Sequence, residues 1–413
     1  MFLKKFYTIL FTLIFSSVAF SQQGKELQKE LGRILKTYTD SQLIPGALLR
    51  VQYKGKLLYK KAVGYANRFD STGHLLGKPE KMTVKHLFDI ASLTKVAGTT
   101  TSILLLTEQG KMHPDDVVAK YIPAFNTSDK KMITIRHLLT HTAGLHEWYP
   151  LYYRANNRQA AYDLIASLPL KYPVGKERHY SDLGFVILGQ VIEKVSGMPL
   201  EQFEQEELFF PLGVNNTAYR ANNNGWPRKI APTSFGNPYE YRMVHDSTLG
   251  FVFKEINPDG WNGWRHYQLR GEVNDGNCWY ACKGVNGAAG LFSTAEDLQQ
   301  LVNFYLGELR GHWSNPVSQK TINLFITKDK FNNGLGWMMD PSNSFMKNAP
   351  EGSFGHTGFT GTSIVVVPSM RLSVILLVNR QNRSLLPSKE YYNLNALRRQ
   401  IFETVLAYCT KNK

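Results

Sequence analysis

Apolar positions recur at spacings of three and four near the start of the chain, at Leu27, Leu31, Ile34, Leu35 and Tyr38, and predict an amphipathic helix. Two β-compatible runs follow, residues 47–53 and 56–63, around Lys54-Gly55, and so short a turn predicts an antiparallel hairpin. A second strongly apolar pair, residues 361–368 and 372–379, flanks Ser369-Met370-Arg371 towards the other end. Leu394, Leu397, Ile401, Val405 and Leu406 then give a closing helix its apolar stripe. Between these terminal pieces the period is helical at residues 92–109, 184–195 and 295–306, with Gly110 and Gly197 as stops. The pattern predicts an α/β fold. An antiparallel sheet is built from both chain ends, about residues 22–81 and 311–413, with flanking helices and a helical, loop-rich insertion over about 82–310. Residues 222–279 stand apart: they carry Trp226, Trp261, Trp264 and Trp279 with little periodicity, and suit either a cleft wall or an aromatic-stapled surface excursion.

Composition narrows the class. With 43% hydrophobic and 20% charged residues, the 413-residue chain can bury a sizeable core, which excludes the disordered classes. The net charge of +15 attracts polyanions, but no run of five basic residues exists, so no nucleic-acid partner is expected. Lys4 and Lys5 precede a mostly apolar run at residues 6–20, and Ala19-Phe20-Ser21 places small residues where a signal peptidase reads. Residues 1–21 are therefore expected to be an export signal cut between Ser21 and Gln22, which leaves a periplasmic or secreted protein. The run is shorter than the ~20 apolar residues of a membrane span, and no stable span is expected elsewhere. Three cysteines, Cys278, Cys282 and Cys409, cannot make a disulfide framework, and the sequence leaves a Cys278–Cys282 bridge open. None of the 11 histidines falls in H-E-x-x-H or a finger pattern, so neither a metal nor an organic cofactor is expected.

Three short stretches carry candidate chemistry. Ser92-Leu93-Thr94-Lys95 opens an apolar helix and puts Lys95 within reach of the Ser92 hydroxyl, which needs a neighbouring base to become a nucleophile. The same helix start turns free backbone amides towards a developing oxyanion. Ser128-Asp129-Lys130-Lys131 meets the same spacing in a polar stretch with no apolar helix behind it. Tyr180-Ser181-Asp182 lies in a loop entering the next helix, where Tyr180 can serve as a second acid/base group and Asp182 as either a helix cap or a polar contact. His356-Thr357-Gly358-Phe359 begins the downstream strand pair; its glycine admits close approach, and the Phe359 amide can complete an oxyanion hole with that of Ser92. His141-Thr142-Ala143-Gly144 is read as shaping a helix-to-loop junction.

The ordered set, S-x-x-K, then Tyr-Ser-Asp, then His-Thr-Gly, resembles the serine β-lactamase and penicillin-binding protein superfamily, most closely its class C β-lactamase-like branch. Residues 138–145 (LLTHTAGL), 211–213 (PLG) and 287–294 (GAAGLFST) extend the resemblance over about residues 43–406. The resemblance implies Ser92 as acylated nucleophile, Lys95 as its proton partner, Tyr180 as second acid/base, and the Ser92 and Phe359 amides as the oxyanion hole. Asp182, His356, Thr357 and Gly358 are implied as substrate-binding residues. Two positions depart from the β-lactamase pattern. His356 stands where Lys is commoner, replacing a fixed cation by a titratable one, and Asp182 stands where Asn is commoner. The loop Arg270-Gly271-Glu272-Val273-Asn274-Asp275 resembles a Gly-Glu-Val-His-Asp stretch of some relatives, with Asn274 at the His position. These features point to an exported serine hydrolase acting on D-alanyl peptides or small esters. A true β-lactamase is the second reading, and a catalytically silent receptor for peptidoglycan fragments or β-lactams the third. The expected partner is a small-molecule or peptidoglycan-peptide substrate, and the oligomeric state is open.

Overall fold

A computed structural model describes residues 23–223, 225, 229–309 and 316–412, so the expected export signal lies outside the described residues. After a helix over residues 23–40 come nine strands: β1 (Gly46–Tyr53), β2 (Lys56–Phe69), β3 (Leu75–Lys81), β4 (Phe88–Asp89), β5 (Ala218–Tyr219), β6 (Leu291–Ser293), β7 (Phe354–Thr357), β8 (Thr362–Val367) and β9 (Leu372–Val378). Six of them form an antiparallel sheet in the order β3-β2-β1-β9-β8-β7, which joins the two ends of the chain as the pattern predicts. The β1–β2 hairpin turns at Lys54 and Gly55, whose φ values of 50° and 72° suit a tight turn matched to the strand twist.

Strands β1, β8 and β9 are apolar almost without interruption because both faces of the sheet are covered. On one face Ala47, Leu49, Val365, Val374 and Leu376 meet the first helix, through Leu27, Leu31 and Ile34, and the C-terminal helix Asn395–Lys411, through Leu397, Ile401 and Val405. On the other, Leu48, Ile364, Val366, Ile375 and Leu377 join the larger core of the helical insertion. The sequence pattern did not reveal β3, β7 or the short sheet β4-β6-β5, whose two- and three-residue strands carry no period. That small sheet fixes Asp89 and the chain leading to Ser92. The described residues of 222–279 hold one α-helix, Pro238–His245, short 3-10 turns at Ser247–Leu249 and Pro258–Gly260 and the start of a π turn at Asn277–Ala281, with aromatic contacts such as Tyr152–Trp261 and Trp261–Tyr280 pinning the chain. Cys278, Cys282 and Cys409 are free and buried, which settles the open bridge. Among the described residues no single helix is long and apolar enough to cross a membrane.

Candidate active site

The chain reaches Ser92 through a strained turn. Ala91 has φ +47°, a region that L-residues rarely occupy, and its amide donates to Asp89 Oδ1 at 2.8 Å. Asp89 Oδ2 accepts the Asn274 amide at 2.7 Å, and burial pushes this carboxyl up to about 6 against those two donors. From Lys95 to Thr100 the predicted helix is widened to a π turn before running on as Thr101–Glu108. Thr101 Oγ1 donates to Val96 O at 2.7 Å and Thr99 Oγ1 to Gly287 O at 2.7 Å, so side chains supply bonds around the widened turn. Gly287 must be glycine, since an added Cβ would stand 2.2 Å from Phe185 O. That close approach brings the Ala288 carbonyl to the Lys95 ammonium.

Lys95 is 1% exposed; it donates to Ser92 Oγ at 3.0 Å and to Ala288 O at 2.8 Å, and forms an ion pair with Asp182 Oδ1 at 2.7 Å. Burial alone would lower its pKa, but the Asp182 carboxylate and then Tyr180 outweigh burial and hold the amine protonated, above its ordinary value. Tyr180 interacts with both Ser92 and Lys95, and its ring lies 5.3 Å from the ammonium. Burial raises its phenol more than Lys95 lowers it, so Tyr180 rests as a proton donor. His141 (φ +60°) positions the tyrosine: its ring packs 4.3 Å from that of Tyr180 and its Nδ1 accepts the Ser181 amide at 3.0 Å. Ser181, not Asp182, caps the Asp182–Ser196 helix by accepting the Gly184 amide, which frees Asp182 for Lys95.

The β7–β8 turn is sewn to the chain before Ser92. Thr360 Oγ1 donates to Asp89 O at 2.7 Å and Thr362 Oγ1 to Ile90 O at 3.1 Å, while a Cβ on Gly358 would sit 2.4 Å from Ile90 O. Phe359 and Ser92 both line a cavity of about 280 Å³ together with Tyr180 and Asp182. The Phe359 carbonyl accepts from Arg380 Nε at 2.9 Å, which fixes the peptide on one side.

His356, Thr357 and Gly358 are not in the cavity lining. His356 is 1% exposed, with Nδ1 2.9 Å from Thr357 O. Burial, aided by the Lys95 charge, pushes its pKa down to about 3. The expectation of a titratable cation for a substrate carboxylate is therefore corrected: the imidazole is neutral throughout the working range. For a matched acidic and neutral substrate pair, the ratio of kcat/KM values should show no inflection from pH 5.5 to 9 that His356→Asn removes. Such an inflection would restore the cationic role.

Two arginines missed in the sequence stand beside Phe359. Arg380 and Arg398, with Glu390, line an adjoining pocket of about 250 Å³ that shares Phe359 and Tyr391 with the cavity beside Ser92. Their hydrogen bonds run to the carbonyls of Phe359, Tyr392 and Thr362. Burial and the Arg380 charge lower Arg398 to about 9. No local sequence signal links them, since one follows β9 and the other opens the last helix. Among the described residues no cluster of His, Cys, Asp and Glu fit for a metal occurs.

The family model described as Beta-lactamase matches residues 31–398. The chain is 32% identical over 375 residues to an N-acetylmuramyl-L-alanine amidase of Bacillus subtilis (strain 168), covering 85% of this chain and 80% of that one. It is 30% identical over 358 residues to a putative D-alanyl-D-alanine carboxypeptidase of Escherichia coli (strain K12), covering 81% and 78%. Among solved structures, EstCE1, a hydrolase with promiscuous acyltransferase activity, superposes with TM-score 0.66 at 20% identity over 92% of this chain and 99% of that one. A class C beta lactamase from Rhodobacter sphaeroides gives TM-score 0.63 at 20% identity over 91% and 99%, and both show the shared fold.

Proposed function

The chain belongs to the beta-lactamase family of serine hydrolases, and from that premise we propose that it is an exported enzyme that acylates Ser92 and passes the acyl group to water, with D-alanyl peptides and small esters as substrates. The observation that carries this reading is the buried Ser92–Lys95–Asp182 chain, at 3.0 and 2.7 Å, with Tyr180 against both Ser92 and Lys95. Because Lys95 rests as a cation, it accepts the Ser92 proton only as it hands one of its own to Asp182. Ser92 Oγ attacks the carbonyl, the oxyanion is held by the Ser92 and Phe359 amides, and the Tyr180 phenol protonates the leaving group. In deacylation the Tyr180 phenolate takes a proton from the attacking water, and the proton on Asp182 returns through Lys95 to Ser92.

The names of two relatives refer to amides that involve alanine, which supports an alanyl amide as the bond cleaved. The Arg380–Arg398 pocket next to Phe359 suits a substrate carboxylate better than neutral His356 does. β-Lactam hydrolysis ranks second, because Asp182 is committed to Lys95 and offers no amide donor. An intact Lys95, hydrogen-bonded to Ser92 and ion-paired with Asp182, speaks against a silent receptor. The test is to label the protein with a fluorophosphonate and a fluorescent penicillin, map the adducts, and screen D-alanyl peptides, esters and nitrocefin. A Ser92 adduct with turnover of an alanyl amide or ester is expected. Turnover of nitrocefin alone would make it a β-lactamase, and adducts without any turnover a receptor.

A further inference from the structure

The cavity beside Ser92 is lined by carboxyl groups in an otherwise basic chain. The protein is strongly basic, yet the charged side chains lining this cavity are Asp182, Glu240 and Asp275. Asp182 is matched by Lys95, whereas the other two are held by backbone: Glu240 Oε2 accepts the Gly276 amide at 2.8 Å and Asp275 Oδ1 the Cys278 amide at 2.7 Å. Arg265, a cation close to the pair, is spent on Glu272 at 3.4 Å and on Asn237. Burial raises both carboxyls, and a neighbouring carboxylate adds to it, Asp275 acting on Glu240 and Asp182 on Asp275.

A neutral side chain gives a second, independent sign. Gln381 is 0% exposed, lines the cavity, and has no donor to its Oε1. The network fixes which way this amide faces. Ser234 Oγ donates to Gly236 O, so it accepts from Asn274 Nδ2 at 2.7 Å; Asn274 Oδ1 therefore faces Gln381 and takes its Nε2 at 3.1 Å. Gln381 Oε1 is left as an acceptor. The remaining walls include the rings of Trp148, Tyr239, Phe251 and Tyr391. Acceptors without donors, beside aromatic faces, match the chemistry of an organic cation.

We propose that this cavity receives a primary ammonium group of the substrate, held by Glu240, Asp275 and Gln381 Oε1, so that the enzyme selects peptides or esters carrying an unblocked amine. The inference deepens the serine-hydrolase reading and rests on it for the role of Ser92. Its test uses the whole protein and three size-matched probes, n-butylammonium, n-butanol and n-butyrate, at fixed pH and ionic strength. Each is titrated calorimetrically and also as a competitor of fluorophosphonate labelling. The ammonium should bind at least about tenfold more tightly than either other probe. Glu240→Gln and Asp275→Asn should each reduce that discrimination several-fold. Equal binding of the three probes by wild-type protein, or preference for butyrate, overturns the proposal even if the variants fail to fold. Failure of labelling with retained ammonium preference would count against the hydrolase reading alone, since calorimetry needs no reaction at Ser92.

Discussion

Ser92→Ala is expected to lower turnover of every substrate by roughly 10⁴-fold or more, with loss of the fluorophosphonate adduct, because no other group can carry the acyl intermediate. The residual rate would reflect binding and the two backbone amides, since the N–H at position 92 survives the substitution. Folding should be unaffected, since the change removes one hydroxyl that Lys95 touches and leaves Asp182 and Ala288 to hold the ammonium. Ser128→Ala is the matched control: it has the same S-x-x-K spacing, yet Ser128 and the motif's Lys131 are both exposed. Circular dichroism and thermal unfolding should match wild type for both variants, while only Ser92→Ala loses activity. Retained turnover in Ser92→Ala would end the acyl-enzyme reading, and loss in Ser128→Ala would make Ser128 the nucleophile instead.

The contrast between the two serines shows what is legible in the chain before folding. Spacing puts Ser92 and Lys95 together, and the apolar run after them marks a buried helix, so the pair is readable. The sheet is readable for a related reason: runs such as residues 374–378 are apolar at every position, which fits strands covered on both faces. The electrostatic state of the site is not readable. Whether Lys95 is a base or a cation depends on Asp182, 87 positions away, turning its carboxylate inward because Ser181 takes the cap instead. Whether His356 is charged depends on how deeply β7 is buried. Glu240, Asp275 and Gln381 converge from three segments without periodic pattern, and Arg380 meets Arg398 only when the last helix docks on the sheet. Such residues have no local signature, since their meaning arises from contacts at long sequence separation.

Lys95 and Asp182 should fail together but differently as pH changes. Lys95→Ala is expected to cost ~10² to 10⁴-fold in kcat/KM, because it removes the relay between Ser92 and Asp182. It also leaves a carboxylate without its partner, so a lower melting temperature should accompany the loss. Asp182→Asn separates the chemistry from the packing, since the side chain keeps its shape while losing its charge. In wild type the Asp182 carboxylate holds Lys95 above its ordinary pKa, so the pair contributes stability that is fully present below the ordinary lysine value and is lost as pH rises from there through the raised value. In the Asp182→Asn variant the largest upward influence is gone and burial pulls the amine down. Protonated Lys95 then has no acceptor for its proton, and the variant is nearly inactive at low pH. As pH rises and Lys95 becomes neutral, it can take the Ser92 proton directly, so kcat should climb with pH in Asp182→Asn while wild type stays level over the same interval. Combining Asp182→Asn with Lys95→Ala should cost little more than Lys95→Ala alone, because both act on one proton path. A profile for Asp182→Asn that runs parallel to wild type would show that Asp182 does not govern Lys95, and additive losses in the double variant would show two separate roles.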